Sequence, residues 1–186
     1  MIICFNGDIG SGKSTIANKI AKTLKLSHFY MGQVLRDLAK KRKMTLVELL
    51  KSGEKDFSVD SCVDNFILKL AKRKNKFIIE SRTAWHLIPE SLKIYLKVSR
   101  LEGAKRVFSH LQKENKRKNE DVKLKTLKDV LKSNDQRRKT DNKRYKKYYN
   151  INLQKKTNYD FVLDTTKLSI EEVFTKTLEF INSKLK

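Results

Sequence analysis

The sequence predicts an α/β fold: a five-stranded parallel sheet with helices on both faces. Three observations lead there. Short apolar runs of β type, at residues 2–5, 28–30, 77–79, 94–98 and 161–163, recur between helical patterns, the alternation that parallel sheets require. Three of the chain's six glycines fall within residues 7–12, directly after the first run. The length, 186 residues with 39% hydrophobic content, suits a single domain with one sizeable core, since ~100–200 residues per domain is usual.

The first element carries the strongest chemical signal. Ile2-Ile3-Cys4-Phe5 leads into Gly7-Asp8-Ile9-Gly10-Ser11-Gly12-Lys13-Ser14, a complete G-x-x-x-x-G-K-[ST] loop. A helical pattern follows at 13–24, with apolar Ile16, Ala17, Ile20, Ala21 and Leu24. Strand, glycine loop and helix in this order give the P-loop its context and predict the P-loop NTPase fold. Glycine lets the backbone bend around a phosphate and aim its N–H groups at it. Gly7, Asp8, Ile9, Gly10, Ser11, Gly12, Lys13, Ser14 and Thr15 are therefore expected to bind ATP. Lys13 reaches the β- and γ-phosphates in this reading, and the Ser14 hydroxyl is the expected Mg²⁺ ligand.

The remaining elements follow in order. Helical patterns at 32–41, 45–50 and 59–73 lie between the second and third strands and predict a small acceptor-binding helical insertion over about 31–73. Further helices are expected at 101–111, 124–148 and 170–185. Thr45-Leu46-Val47-Glu48 and Ser169-Ile170-Glu171-Glu172 have the capping-box pattern that starts a helix. The stretch Gln112–Asp121, QKENKRKNED, has no apolar residue. It is either a solvated connection or part of a lid over about 112–136, which would keep water from the transferred group. The core is then 1–30, 74–111 and 150–186, all within one domain.

Three constellations lie outside the loop. Gly32 and Arg36 stand at the start of the second helix, and a guanidinium there can grip a phosphate in bidentate fashion. Glu80 and Arg82 end the third apolar strand, and ligands in open α/β sheets bind beyond the carboxyl ends of strands. Trp85 follows, either as a wall of the acceptor pocket or as a core tryptophan. Arg137, Asp141 and Arg144 are spaced i, i+4, i+7 and share a helical face. That face is either solvated or built for phosphate and ribose.

Composition narrows the class. The net charge is +22, from 43 Lys+Arg against 21 Asp+Glu. Such an excess attracts polyanions, but the lysines are dispersed, which favours compositional bias over a dedicated nucleic-acid surface. No apolar run reaches the ~18 residues of a membrane span. The chain runs at once into strand and loop, which leaves no room for a leader and predicts a cytoplasmic protein. Cys4 and Cys62 read as reduced thiols, and His28, His86 and His110 as structural residues without metal spacing.

The ordered motifs resemble the nucleoside monophosphate kinases, specifically the short cytidylate kinase type of archaea and some bacteria. That family's Ser-Ala-Gly-x-x-[FL]-Arg element is represented by Tyr30-Met31-Gly32-Gln33-Val34-Leu35-Arg36, and its Glu-Gly-Arg by Glu80-Ser81-Arg82. An acidic helix carries Asp60 and Asp64, and an arginine-bearing helix carries Arg100 and Arg106. The family's Arg-Glu-x-Ser-Glu-x-x-Arg-Tyr block aligns with Arg137 through Tyr145. The resemblance implies transfer of the γ-phosphoryl group from ATP, with Mg²⁺, to CMP or dCMP by a small monomeric enzyme. It implies Lys13, Arg106, Arg137 and Arg144 as catalytic residues, and Gly32, Arg36, Asp60, Glu80, Arg82, Trp85 and Asp141 on the acceptor. Ser81, Arg138, Met31 and Asp8 depart from the family pattern. The competing readings are a P-loop kinase for another acceptor, such as AMP, UMP or a shikimate-like alcohol, and an RNA-associated P-loop ATPase.

Overall fold

A strand that is apolar at consecutive positions is stable only when both its faces are covered. β1 (Ile2–Gly7) meets that condition, being buried at all six positions. Its side chains alternate between two cores. Ile2 and Cys4 join Phe77 and Ile79 on one face, while Ile3 and Phe5 join Ile78, Ile94 and Leu96 on the other. The computed structural model describes residues 1–113 and 124–184, with the side chain of Lys113 left aside.

The remaining strands are β2 (Ser27–Tyr30), β3 (Phe77–Glu80), β4 (Leu92–Lys97) and β5 (Phe161–Asp164). All pair in parallel in the order β2-β3-β1-β4-β5, so the expected five-stranded sheet is present. β1 has β3 on one side and β4 on the other. The chain therefore reverses its winding at β1, and a crevice opens at the carboxyl end of that strand.

Helices α1 (Lys13–Thr23) and α8 (Ile170–Ser183) cover one face through Ile16, Ile20, Val173 and Ile181. The other face is covered by α4 (Ser58–Arg73) and by Trp85 of the short α5 (Ala84–Leu87). The insertion between β2 and β3 consists of α2 (Met31–Lys41), α3 (Leu46–Ser52) and α4, joined by a small core of Ala39, Leu49 and Val59. Helices α6 (Arg100–Lys113) and α7 (Leu127–Tyr149) pack through Ala104, Val107 and Val130.

Both expected capping boxes form, at Thr45–Glu48 and Ser169–Glu172. A third, Thr126–Asp129, starts α7 later than the apolar pattern predicts. The expectation of a lid over 112–136 falls partly on residues 114–123, outside the described residues. The later part of that stretch is the first half of α7, anchored by buried Val130. Among the described residues no helix is long and apolar enough to cross a membrane, and Cys4 and Cys62 are free thiols.

Candidate active site

The glycine loop leaves β1 and returns as α1, and its shape is imposed from two sides. Gly10 has φ +80°, a left-handed backbone that side chains rarely adopt. A Cβ there would also stand 2.2 Å from the carbonyl oxygen of Gly103 on α6. The reverse holds too, since a Cβ on Gly103 would stand 2.5 Å from Ile9 O. The loop and α6 thus meet backbone to backbone. We expect Gly103→Ala to displace the loop, weakening ATP binding and costing about 1–3 kcal/mol of stability. Calorimetric titration with ATP and a denaturant curve check both effects.

Asp8 lies in this loop without facing the phosphate side. Its carboxylate accepts hydrogen bonds from the Tyr95 hydroxyl (2.9 Å) and the Val98 backbone N–H (3.1 Å), both at the end of β4. The residue expected among the ATP contacts therefore ties the loop to the sheet with its side chain. A carboxylate is tolerated here because it is turned away and satisfied.

Lys13 begins α1 and folds back over the loop. Its Nζ donates to Gly7 O (3.0 Å) and Asp8 O (2.6 Å). Burial pushes its ammonium down to about 7, and the nearby guanidinium of Arg82 adds to the effect, with Arg137 contributing further. Three cations converge here, so the site is poised for anionic charge.

Arg82, at the end of β3, donates to Gly7 O (2.5 Å) and to Asn6 Oδ1 (3.1 Å), and its Nε lies 3.3 Å from Asp141 Oδ2. Burial opposes its charge, but Asp141, together with the Tyr145 and Tyr95 phenols and Asp8, outweighs that and leaves its pKa raised. Glu80 is buried and uses both oxygens. Oε2 accepts from the Ser14 hydroxyl (2.8 Å), and Oε1 lies 2.7 Å from His28 Nε2. His28, read as structural, thus holds Glu80 from β2, and His110 lines the cavity. Asn6 and His28 gave no sequence signal, because their roles depend on β3 lying beside both β1 and β2.

One cavity of about 500 Å³ is lined by Gly10–Thr15 of the loop, by Tyr30, Gly32, Arg36, Asp60 and Asp64 from β2 and the insertion, and by Glu80, Arg82, Arg106 and Arg137. A volume of this size is typical of ligand sites. Arg36 is mostly buried and donates from Nη1 to the Tyr30 hydroxyl (2.9 Å). Asp64 accepts from the Thr83 hydroxyl (2.8 Å) and from the Tyr149 hydroxyl, and burial raises its pKa.

Three expected site residues sit elsewhere or are otherwise engaged. Trp85 is in the core, with Nε1 donating to Arg82 O (2.8 Å) and its ring against Tyr159. It positions the Arg82 backbone and does not wall the acceptor pocket. Arg144 was expected beside the transferred group. Its side chain is fully buried, with Nε and Nη2 each 2.9 Å from an Asp60 oxygen and Nη1 donating to Leu50 O (3.2 Å). It joins α7 to α3 and α4 from beneath the cavity. Arg106 does line the cavity, but its guanidinium bonds Glu102, Thr165 Oγ1, and the carbonyl oxygens of Thr165 and Thr166. It clamps the loop after β5, and Thr165 in turn donates to Ser11 O (3.2 Å).

Comparison with known proteins accords with this geometry. A family model described as an AAA domain matches residues 7–128. The cytidylate kinase of Pyrobaculum calidifontis is 32% identical over the whole chain and 95% of its own length. That of Methanocaldococcus jannaschii is 35% identical over 94% of this chain and 93% of its own. Among solved structures, an uncharacterized protein from Eubacterium ventriosum superposes with a TM-score of 0.71 at 18% identity, covering 98% of this chain and 99% of that one. A shikimate kinase from Bacteroides thetaiotaomicron gives 0.62 at 13% identity, covering 100% and 98%. These two structural likenesses concern the fold alone.

Fold and site together define an ATP-dependent phosphotransferase of the P-loop class. Within that class, the chain belongs to the cytidylate kinase family.

Proposed function

We propose that this protein transfers the γ-phosphoryl group of ATP to CMP or dCMP, giving ADP and CDP or dCDP. The observation that carries this reading is one cavity lined both by the donor loop and by Arg36 and Arg82, which can take a second phosphate. A simple ATPase needs no such second site. The names of the full-length relatives support the choice of cytidine nucleotides.

The acceptor phosphate is already ionised near neutral pH, so the transfer needs no general base. Catalysis reduces to alignment and charge neutralisation. Lys13 and the loop amides hold the β- and γ-phosphates. Arg36 and Arg82 grip the acceptor phosphate, with Asp141 fixing Arg82. Arg137 faces the charge that develops on the transferred group. Glu80 holds Ser14, and Arg106 keeps the loop after β5 against the glycine loop.

Magnesium accompanies ATP in this proposal. The Ser14 hydroxyl, beside the Glu80 carboxylate, supplies the hard oxygen chemistry that Mg²⁺ prefers. When bound, Mg²⁺ would supply positive charge against the phosphate oxygens, with Ser14 as the residue that would hold it. We place the enzyme in the cytoplasm as a monomer acting on free nucleotides.

The test is ADP formation from ATP with CMP, dCMP, UMP, AMP, shikimate or no acceptor. Turnover is expected to depend on a cytidine monophosphate. Acceptor-independent hydrolysis stimulated by RNA, or turnover confined to shikimate, would replace this reading.

A further inference from the structure

β2 is an edge strand, and its residues alternate between the two faces of the sheet. Phe29 packs on Phe77, on the face that Trp85 covers. His28 is therefore turned to the opposite face, where Ile78 of β3 meets α1. Glu80, two residues beyond Ile78, shares that face. His28 pairs with Ile78 in the sheet and reaches diagonally to Glu80.

The Glu80 side chain is 3% exposed and that of His28 19%. A carboxylate only accepts, so the imidazole donates from Nε2 to Oε1 at 2.7 Å. That bond fixes the carboxylate with Oε2 toward Ser14, whose hydroxyl donates to it at 2.8 Å. A hydroxyl that spends its proton on Glu80 keeps its lone pairs for a cation. Partners of this kind, one step behind a ligand, set the direction in which the ligand points. Without the imidazole, one oxygen of a buried carboxylate loses its donor. The carboxylate is then free to turn, and the Ser14 hydroxyl with it. His28 stands behind Glu80 and is not among the described residues lining the cavity, so its effect is indirect.

We propose that His28 is a positioning residue for magnesium: acting through Glu80, it aims the lone pairs of Ser14 at the metal that accompanies ATP. The proposal rests on the donor half of the phosphotransfer reading. It makes a chain of three side chains from separate elements, His28 on β2, Glu80 on β3 and Ser14 on α1.

The experiment measures ATP binding by titration calorimetry, once with excess MgCl₂ and once with EDTA, and with no acceptor present. The ratio of the two affinities is the gain from magnesium. His28→Leu removes the donor and is expected to lower that gain by about tenfold or more, with affinity in EDTA nearly unchanged. His28→Gln puts an amide N–H near the place of Nε2 and is expected to restore most of the gain. Adding His28→Leu to Ser14→Ala is expected to lower the gain no further than Ser14→Ala alone. In turnover, His28→Leu should need more MgCl₂ for half-maximal rate while KM for CMP holds. Melting curves check folding, and His28→Phe, a ring without a donor, takes the place of Leu should Leu not fold. An unchanged gain in a folded Leu or Phe variant overturns the proposal. So do equal losses in the Leu and Gln variants, additive losses with Ser14→Ala, or no gain from magnesium in the unaltered protein. The calorimetry needs no acceptor, so missing turnover with CMP would remove the phosphotransfer reading and leave this result standing.

Discussion

Lys13→Ala is expected to lower turnover by roughly 10²–10³-fold or more while the protein remains folded. The ammonium bridges the two carbonyls that open the glycine loop and sits among Arg82 and Arg137. Lys13 is the one lysine among the described residues lining the cavity. Stability is expected to be spared, because burial already works against this charge in the empty site.

The depressed pKa also gives ATP binding a pH signature. With a value of about 7 in the empty protein, Lys13 is largely neutral at pH 8. The triphosphate is anionic and favours the charged form, so its arrival raises the pKa again. Binding at pH 8 is therefore expected to take up a proton, and binding at pH 6 is not. Titration calorimetry in buffers of different ionisation enthalpy measures this directly. Lys13→Met should bind weakly with no uptake from this residue. Buffer-independent heats for the unaltered protein at pH 8 would contradict the assignment.

The second large effect concerns Arg144 and Asp60. The Arg144 side chain is 0% exposed and that of Asp60 4%, with two bonds of 2.9 Å between them. Burial raises the Asp60 pKa against the pull of Arg144. Burial also opposes the charge on Arg144, but the Tyr145 phenol and the Asp141 and Asp60 carboxylates raise its pKa in spite of that. Removing one partner leaves the other charge buried and uncompensated. Arg144→Met is accordingly expected to cost about 3–5 kcal/mol. For a chain of this length that lowers the melting temperature by on the order of 10 °C. The double variant Arg144→Met/Asp60→Leu should recover a large part of the loss, since apolar replacement of a whole buried pair is often neutral. A catalytic arginine would behave in the opposite way, losing turnover with little loss of stability. Normal melting with collapsed kcat in Arg144→Met would restore that role.

This pair shows where sequence reading stops. The i, i+4, i+7 spacing of Arg137, Asp141 and Arg144 puts them near one another on α7. It does not say what the helix faces. α7 packs its length against α3 and α6, so Arg144 is driven into the interior while Arg137 reaches the cavity. Trp85 could be read either as a pocket wall or as core, and only the packing decides for the core, because a four-residue helix has no periodicity to reveal its buried side. Asp8 reads as an anomaly beside phosphates until β4 is known to lie next to β1 and to offer Tyr95 and Val98. His28 has no local pattern at all, and its bond to Glu80 exists because Ser27–Tyr30 pairs in register with Phe77–Glu80.

The sequence by itself determined the parallel sheet, the order of helices and the ATP loop of Gly7–Ser14. Each is encoded by contiguous residues: apolar runs buried on both faces, capping boxes, and glycines that admit a left-handed turn. Tertiary structure alone decided which arginines face the cavity, which one is spent on an internal carboxylate, and where the phenol of Tyr30 comes to rest. Those outcomes depend on strand order and helix packing, which join residues as far apart as Asn6 and Tyr159. The glycine loop is legible because its function is local. The rest of the cavity is assembled from separated segments, and only their packing brings it together.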